Sequence, residues 1–246
     1  PQSPKITLIL ALGLVLGLFL GSGLALVLAL RSGILYTKNT ISAAVGLPFS
    51  HQKSLSALRK NPAEVGKLVS SVLGHSNPDL DDFAVTTAGD KVKTIGVYAL
   101  NQTRTARGAA LYIGQKLAKF SGATAVLDLA ETIPTKGLKP LERSPSGLTG
   151  WQLIDGLTVF RLTSGLDAAF SDRYQPALSE LQTGSSHLVI VFPPLENGLA
   201  LALASRKHVQ KTLVVATPRL CLRENAERMK ALLRRMSVTA PLLICD

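Results

Sequence analysis

Hydrophobic and polar positions divide the chain into two unlike parts. From Ile6 to Leu30 no charged residue occurs, and nearly every position is apolar or small. Lys5 stands before this run and Arg31 after it. At about 1.5 Å per residue, a helix of that length exceeds the roughly 30 Å hydrocarbon core of a bilayer. The pattern predicts a membrane-spanning helix within residues 1–31, entered through a proline-containing flank. A cleaved signal peptide is the alternative. Its apolar region runs about 7 to 15 residues and ends in a small-residue cleavage site. Here the run is longer and a basic segment follows it.

Past the span, short blocks replace the continuous run. Residues 35–46 read as a short helix or turn, and 48–61 as Ser/Lys-rich linker, so 32–61 is expected to be a juxtamembrane segment. Residues 62–73 have helical spacing, with Asn61 and Gly74 as caps. Residues 77–82 are turn-like. Strands are predicted at 94–99, 124–129, 157–162, 187–192, 212–216 and 242–245. Helices are predicted at 105–120, 148–154, 174–181 and 223–236, and 134–146 reads as a loop. Continuous apolar strands alternating with helices predict an α/β domain over 62–246, with a mostly parallel sheet covered on both faces. Ligands in such folds sit at the C-terminal strand ends. Three ends matter: the one leading from Leu100 to Gly108, the one at Asp128, and the one at Phe192-Pro193-Pro194.

Charge narrows the partners. Lys and Arg number 27 against 16 Asp and Glu, a formal net charge of +11. Aromatic residues make up only 5% of the chain, with little basic–aromatic interleaving, which disfavours nucleic acid. Anionic lipid headgroups are the more economical partner. Arg31, Lys38, Lys53, Arg59 and Lys60 follow the span, while Lys5 alone precedes it. The positive-inside rule then puts the C-terminal portion in the cytoplasm. Cys221 and Cys245 lie far apart without metal spacing and suit reduced thiols. His51, His75, His187 and His208 show no ligand spacing. A calcium loop opening at Asp79 would want an oxygen ligand at Phe83 and a glycine at Ala84, and has neither. No metal site is expected. The basic residues from Arg223 to Arg235 read as the solvated face of an outer helix, with membrane contact as the alternative. Within the span, Gly13, Gly17 and Gly21 form two overlapping GxxxG steps that suit close packing against a second helix.

The arrangement Ser3-Pro4-Lys5, eleven residues, Gly17, three residues, Gly21 resembles the second transmembrane segment of polysaccharide co-polymerases, the chain-length determinants of bacterial surface polysaccharides. Val45-Gly46-Leu47-Pro48 resembles the juxtamembrane segment of the subgroup that carries a cytoplasmic tyrosine-kinase domain. The remainder is similar to that kinase domain, a P-loop fold. Because the chain opens at Pro1, the resemblance implies the C-terminal piece of a longer inner-membrane protein, its last domain cytoplasmic.

The family's catalytic parts are altered here. Its phosphate loop, Pro-Gly-Glu-Gly-Lys-Ser/Thr, corresponds to Gln102-Thr103-Arg104-Thr105-Ala106-Arg107-Gly108. Thr103 and Thr105 replace glycines whose backbone N–H groups would cradle phosphate. Ala106 stands at the lysine and Arg107 at the Mg²⁺-binding hydroxyl. Of two aspartates in the second motif, Asp128 matches the first and Ala130 occupies the second. The third motif keeps Pro193 and Pro194 but lacks its carboxylate. The family's ring-assembly helix is matched poorly by Glu64-x-x-Lys67-x-x-Ser70, and no terminal tyrosine cluster is present. Tyr36, Tyr98, Tyr112 and Tyr174 are scattered and read as packing residues.

The resemblance therefore implies a pseudokinase without ATP or Mg²⁺ as cofactor, assisting polysaccharide chain-length control or export. The expected partners are membrane lipid, further copies of the chain, the polymerase or export machinery and a separate active kinase. The alternative is a divergent kinase or nucleotide-sensing domain with a residual site at Arg104, Arg107 and Asp128.

Overall fold

The computed structural model describes residues 6–50, 78–90, 92–101, 103–163, 174–218, 220–236 and 240–244. It comprises two compact units, Pro1–Ile34 and Leu35–Asp246.

The first unit is a single helix, α1 (Ile6–Arg31). Its stretch Leu10–Leu28 is long and apolar enough to cross a membrane. Leu10, Leu14 and Phe19 stand exposed on it, as do all its other large apolar side chains that are described. A helix that is apolar on every side is matched to lipid rather than to water. Around Gly13, Gly17 and Gly21 no atom lies within 4 Å of where a Cβ would sit, so the stripe is open to a neighbouring helix.

β1 (Ile34–Leu35) lies across the boundary, and the second unit continues with α2 (Lys38–Val45) and β2 (Phe49–Ser50). Thr37 and Thr40 form a reciprocal capping box at the start of α2, and Gly46 ends it in the left-handed conformation at φ 74°. Ile41 and Val45, one helical turn apart, are buried with Leu35 in the hydrophobic core. Burying side chains of this size contributes about 1.5–3 kcal/mol each. Residues 35–50 are thus built into the α/β unit. The expected boundary near residue 61, the helix over 62–73 and the Glu64–Ser70 pattern fall outside the described residues, as do Ser3, Pro4 and Lys5.

Then follow α3 (Pro78–Gly89), β3 (Thr94–Ala99), α4 (Thr103–Ser121), β4 (Thr124–Asp128), β5 (Lys139–Pro140), β6 (Leu148–Ile154), β7 (Leu157–Leu162), α5 (Tyr174–Gly184), β8 (His187–Val191), α6 (Leu195–Ala204), β9 (Lys211–Ala216), β10 (Cys221–Leu222), α7 (Arg223–Met236) and β11 (Leu242–Ile244). Nine strands form one sheet in the order β2-β11-β9-β3-β8-β4-β7-β6-β5. From β2 to β7 every pairing is parallel. β6 and β5 add an antiparallel edge.

Alternate strand residues point to opposite faces, and the two cores follow that period. Ile95, Val97 and Ala99 of β3 join α3 and α4 on one face. Tyr98 points the other way and joins α2, α5, α6 and α7. The expected mostly parallel α/β sheet with helices on both faces is therefore what the chain forms. A Cβ on Gly114 would lie 3.0 Å from Leu157 and 3.1 Å from Val126, which is how closely α4 approaches the sheet.

Besides the short strands β2, β5 and β10, which the pattern does not predict, three elements differ from the sequence expectation. Residues 148–154 form β6, not a helix, because Asp155-Gly156 closes a hairpin onto β7 with Gly156 at φ 76°. An Asp-Gly pair between two apolar runs is a strong hairpin signal, and it outweighs helical spacing here. Of the turn expected at 77–82, the described residues 78–82 enter α3, with Pro78 at the first helical position and Asp79 and Asp81 in the first turn. Both choices favour a helix N-terminus. The third element is α6, for which the pattern predicts nothing. It starts directly after Pro194, its N-cap residue.

Candidate functional site

The C-terminal ends of β3, β4 and β8 lie level, since Val97 and Asp128 both register with Val191. The side chains that meet there come from four segments.

The junction after β3 is stapled to the chain leaving β9. Leu100 donates its N–H to the Val215 carbonyl at 2.9 Å. The Asn101 amide donates to the Thr217 carbonyl at 2.9 Å and accepts the Thr217 N–H at 3.2 Å. From α7, Asn225 donates to the Leu100 carbonyl at 3.4 Å. The next described residue, Thr103, already begins α4. The stretch matched to a phosphate loop is therefore helical. Past the first four residues each helical N–H is committed to the carbonyl four residues earlier, which takes the Arg107 N–H, though not those of Thr103 to Ala106, out of any cradle.

Arg104 is exposed on the first turn of α4, whereas Arg107 is only 2% exposed. Arg107 Nη1 donates to the Thr132 carbonyl at 2.5 Å. Its Nε and Nη2 are buried without a hydrogen-bond partner among the described residues, as are the hydroxyls of Thr105 and Thr217. Burial lowers the Arg107 pKa; Asp128 opposes that shift and the Arg104 charge adds to it.

Asp128 ends β4 with no solvent exposure. It accepts the Ile133 N–H at 2.7 Å and the Thr132 hydroxyl at 3.4 Å. Arg161 of β7 reaches it at 3.4 Å and also donates to the Ile133 carbonyl. The segment after β4 thus folds back over its own strand end, with Glu131 at its apex in the left-handed region at φ 52°. Desolvation pushes the Asp128 carboxyl above its ordinary value, and the Ile133 N–H, Arg161 and Thr132 pull it back in part. The result is one buried carboxylate with the partly exposed Arg161 guanidinium 3.4 Å away and the buried Arg107 guanidinium near enough to act on it electrostatically.

After β8, Phe192 is fully buried and stacks on Tyr98 with ring centroids 4.3 Å apart. Pro193 and Pro194 then turn the chain into α6, so closely that a Cβ on Gly198 would meet Pro193 at 2.8 Å. His187 lies at the other end of β8. Among the described residues no group of three or more His, Cys, Asp or Glu is placed to hold a metal.

Of the candidate residues, Arg107 and Asp128 meet through the Thr132–Ile133 segment, and Arg104 points to solvent. Arg161 is the member that motif reasoning passes over. Its signal is a single arginine between Phe160 and Leu162 in an otherwise apolar, half-buried strand.

The order of strands and helices forms an α/β domain whose fold is shared with bacterial tyrosine-kinase domains of known structure. Solved structures that match it include a BceF tyrosine kinase domain, at TM-score 0.60 and 13% identity over 87% of this chain and 100% of that one. The chimerical protein CapA2B2 matches at TM-score 0.57 and 15% identity over 85% and 98% of the two chains. The kinase domain of the Escherichia coli tyrosine kinase ETK matches at TM-score 0.52 and 12% identity over 80% and 82%. Identities this low speak for a common fold alone. No protein-family description matches the sequence. No curated protein matches it either.

Proposed function

We propose that this chain is a membrane-anchored pseudokinase: a non-catalytic, cytoplasmic, tyrosine-kinase-like domain on an inner-membrane polysaccharide co-polymerase-like protein. It helps set polymer length or assists export, packs its span against another helix, and serves the polymerase or export machinery, or a separate active kinase, as a scaffold. The polysaccharide part of this reading rests on the Ser3-Pro4-Lys5, Gly17, Gly21 spacing.

The observation that carries the non-catalytic part is the start of α4 at Thr103, with Ala106 and Arg107 where a phosphate loop would present lysine and hydroxyl. Phosphoryl transfer depends on positioning and on neutralising charge with lysine and Mg²⁺. Here Thr103 and Thr105 stand where the loop's glycines would be, and Asp128 already has protein donors and a protein cation. The test is a Mg-ATP titration of the full chain in nanodiscs, with phosphotyrosine as a second readout. Neither Mg²⁺-dependent binding nor phosphotyrosine is expected; micromolar Mg²⁺-dependent affinity overturns the pseudokinase.

One observation favours a divergent nucleotide-binding domain instead. The unpartnered Arg107 nitrogens and Thr105 hydroxyl lie near a helix N-terminus, a natural place for an anion. ATP binding that disappears in Arg107→Ala would select that reading.

A further inference from the structure

We propose that His208 is a proton-operated latch between α5 and the end of α6: protonated, its ring holds two glutamines of α5, and neutral, it holds one. The inference goes beyond the proposed function, since it stands whether or not the domain binds nucleotide.

Hydrogen-bond accounting defines the latch. His208 lies in the turn between α6 and β9. Its Nδ1 is 3.0 Å from Gln182 Oε1, and its Nε2 is 2.7 Å from Gln175 Oε1. Both amides are held with their oxygens towards the ring by carbonyls, which only accept. The Gln175 amide nitrogen donates to the Ala204 carbonyl at 3.0 Å. The Gln182 amide nitrogen donates to the His208 carbonyl at 3.3 Å and to the Thr94 hydroxyl at 2.8 Å. An amide oxygen has no proton to give, so each ring nitrogen must supply one. Only the imidazolium carries both.

A neutral ring has one N–H and one lone pair. It leaves that lone pair facing an amide oxygen, and one glutamine must turn or withdraw. Gln182 is half-buried and would lose two acceptors by turning. Gln175 is exposed and would lose one, the Ala204 carbonyl. Gln175 is therefore the one released, and the remaining proton stays on Nδ1. Ala204 is the last residue of α6, the helix that starts behind Pro194 at the candidate site, so the released bond loosens the far end of that helix. The neighbouring bond between the Tyr174 hydroxyl and Ser205 Oγ, 2.7 Å long and buried, persists, because burial raises the Tyr174 pKa away from this range.

The charges on the surrounding elements are Arg206 and Lys207 of the turn, Glu180 of α5, Lys93 before β3, and Lys211 of β9, the last paired with Asp90. Among the described residues Lys207 is the charge that acts on the ring, and burial together with Lys207 lowers the His208 pKa below its ordinary 6.5. The two amide oxygens favour the charged form and work against that shift. The latch is open at neutral pH and closes on acidification.

The test is nitrogen NMR of the full chain in nanodiscs, isotope-labelled at histidine and assigned by the signal missing from His208→Asn. At about pH 8 the proton is expected on Nδ1, with Nε2 bare. Below pH 6.5 both nitrogens should become protonated in one titration. With label at glutamine, hydrogen exchange of the Gln175 side-chain amide should slow roughly fivefold across that step, the worth of one net hydrogen bond. Gln182→Met should move the neutral ring's proton to Nε2, and Gln175→Met should shift the His208 titration further towards acid. A neutral ring protonated on Nε2 in the unaltered chain, or Gln175 exchange that ignores the titration, overturns the latch. So does a His208 titration that Gln175→Met leaves where it was.

Discussion

Two polar junctions at neighbouring strand ends solve the same problem in opposite ways. Between the chain segments leaving β3 and β9, Asn101 and the Thr217 backbone exchange two neutral hydrogen bonds. One strand pair away, the end of β4 buries a carboxylate with two guanidinium groups, one of which has two unpaired nitrogens. The neutral clamp fixes geometry at little electrostatic cost. The ionic cluster buries the Arg107 guanidinium, where each unpaired donor costs about 1–3 kcal/mol. A fold that needed only to close its sheet end would use the first device twice.

Substitutions that separate the two devices rank accordingly. Asp128→Ala removes the counter-charge of Arg107 and Arg161 together with the acceptor for Ile133. Leaving buried charge uncompensated should cost about 3–5 kcal/mol in urea unfolding. Asn101→Ala breaks the clamp and leaves the Thr217 backbone groups unpaired, for about 1–3 kcal/mol. Arg107→Met removes the under-satisfied cation and keeps its bulk. It should be near neutral or stabilising by up to about 1–2 kcal/mol. A loss comparable to that of Asp128→Ala would mean that Arg107 is the structural partner of the carboxylate rather than its surplus.

A buried neutral group supplies the smallest effect. Burial raises the Cys221 thiol from an ordinary 9.0 to about 11. Between those values the unfolded chain has released the thiol proton while the folded chain keeps it. Rising pH then favours unfolding, so this contribution to stability is intact below about pH 9 and lost by about pH 11. Cys221→Ala should flatten that part of the stability–pH curve, as measured by urea midpoints at stepped pH.

The span makes a separate prediction. Gly17→Leu with Gly21→Leu should weaken helix association in the membrane and alter polymer length. Unchanged oligomer size and chain-length distribution would count against a packing role.

What could be read from the sequence follows from range. Buried parallel strands announce themselves as uninterrupted apolar runs, so β3, β4, β7, β8 and β9 are visible to within a residue or two. β6 is not, because it lies on the antiparallel edge, and its identity rests on Asp155-Gly156 rather than on its own periodicity. α3 hides behind Pro78 and its acidic first turn, which look like a solvated turn until the helix is seen to continue to Gly89. In the candidate site, Asp128 and Arg107 are legible as positions in motifs. Arg161 is not, since its partner lies 33 residues away on another strand. Nor does the local sequence reveal the left-handed Glu131, which the fold-back over Asp128 imposes.

The early start of α4 has a consequence for reversibility. Were the obstacle to phosphate binding only a missing lysine, Ala106→Lys would remove it in one step. With Thr103 and Thr105 at the start of the helix and Arg107 buried behind them, the lysine would sit on a helix start that lacks the glycine loop wrapped around phosphate. A working loop would also need the turn undone, by glycines at 103 and 105, before any single change gave an advantage. On the pseudokinase reading, nucleotide binding is therefore a property that several coordinated changes, and no single one, would restore.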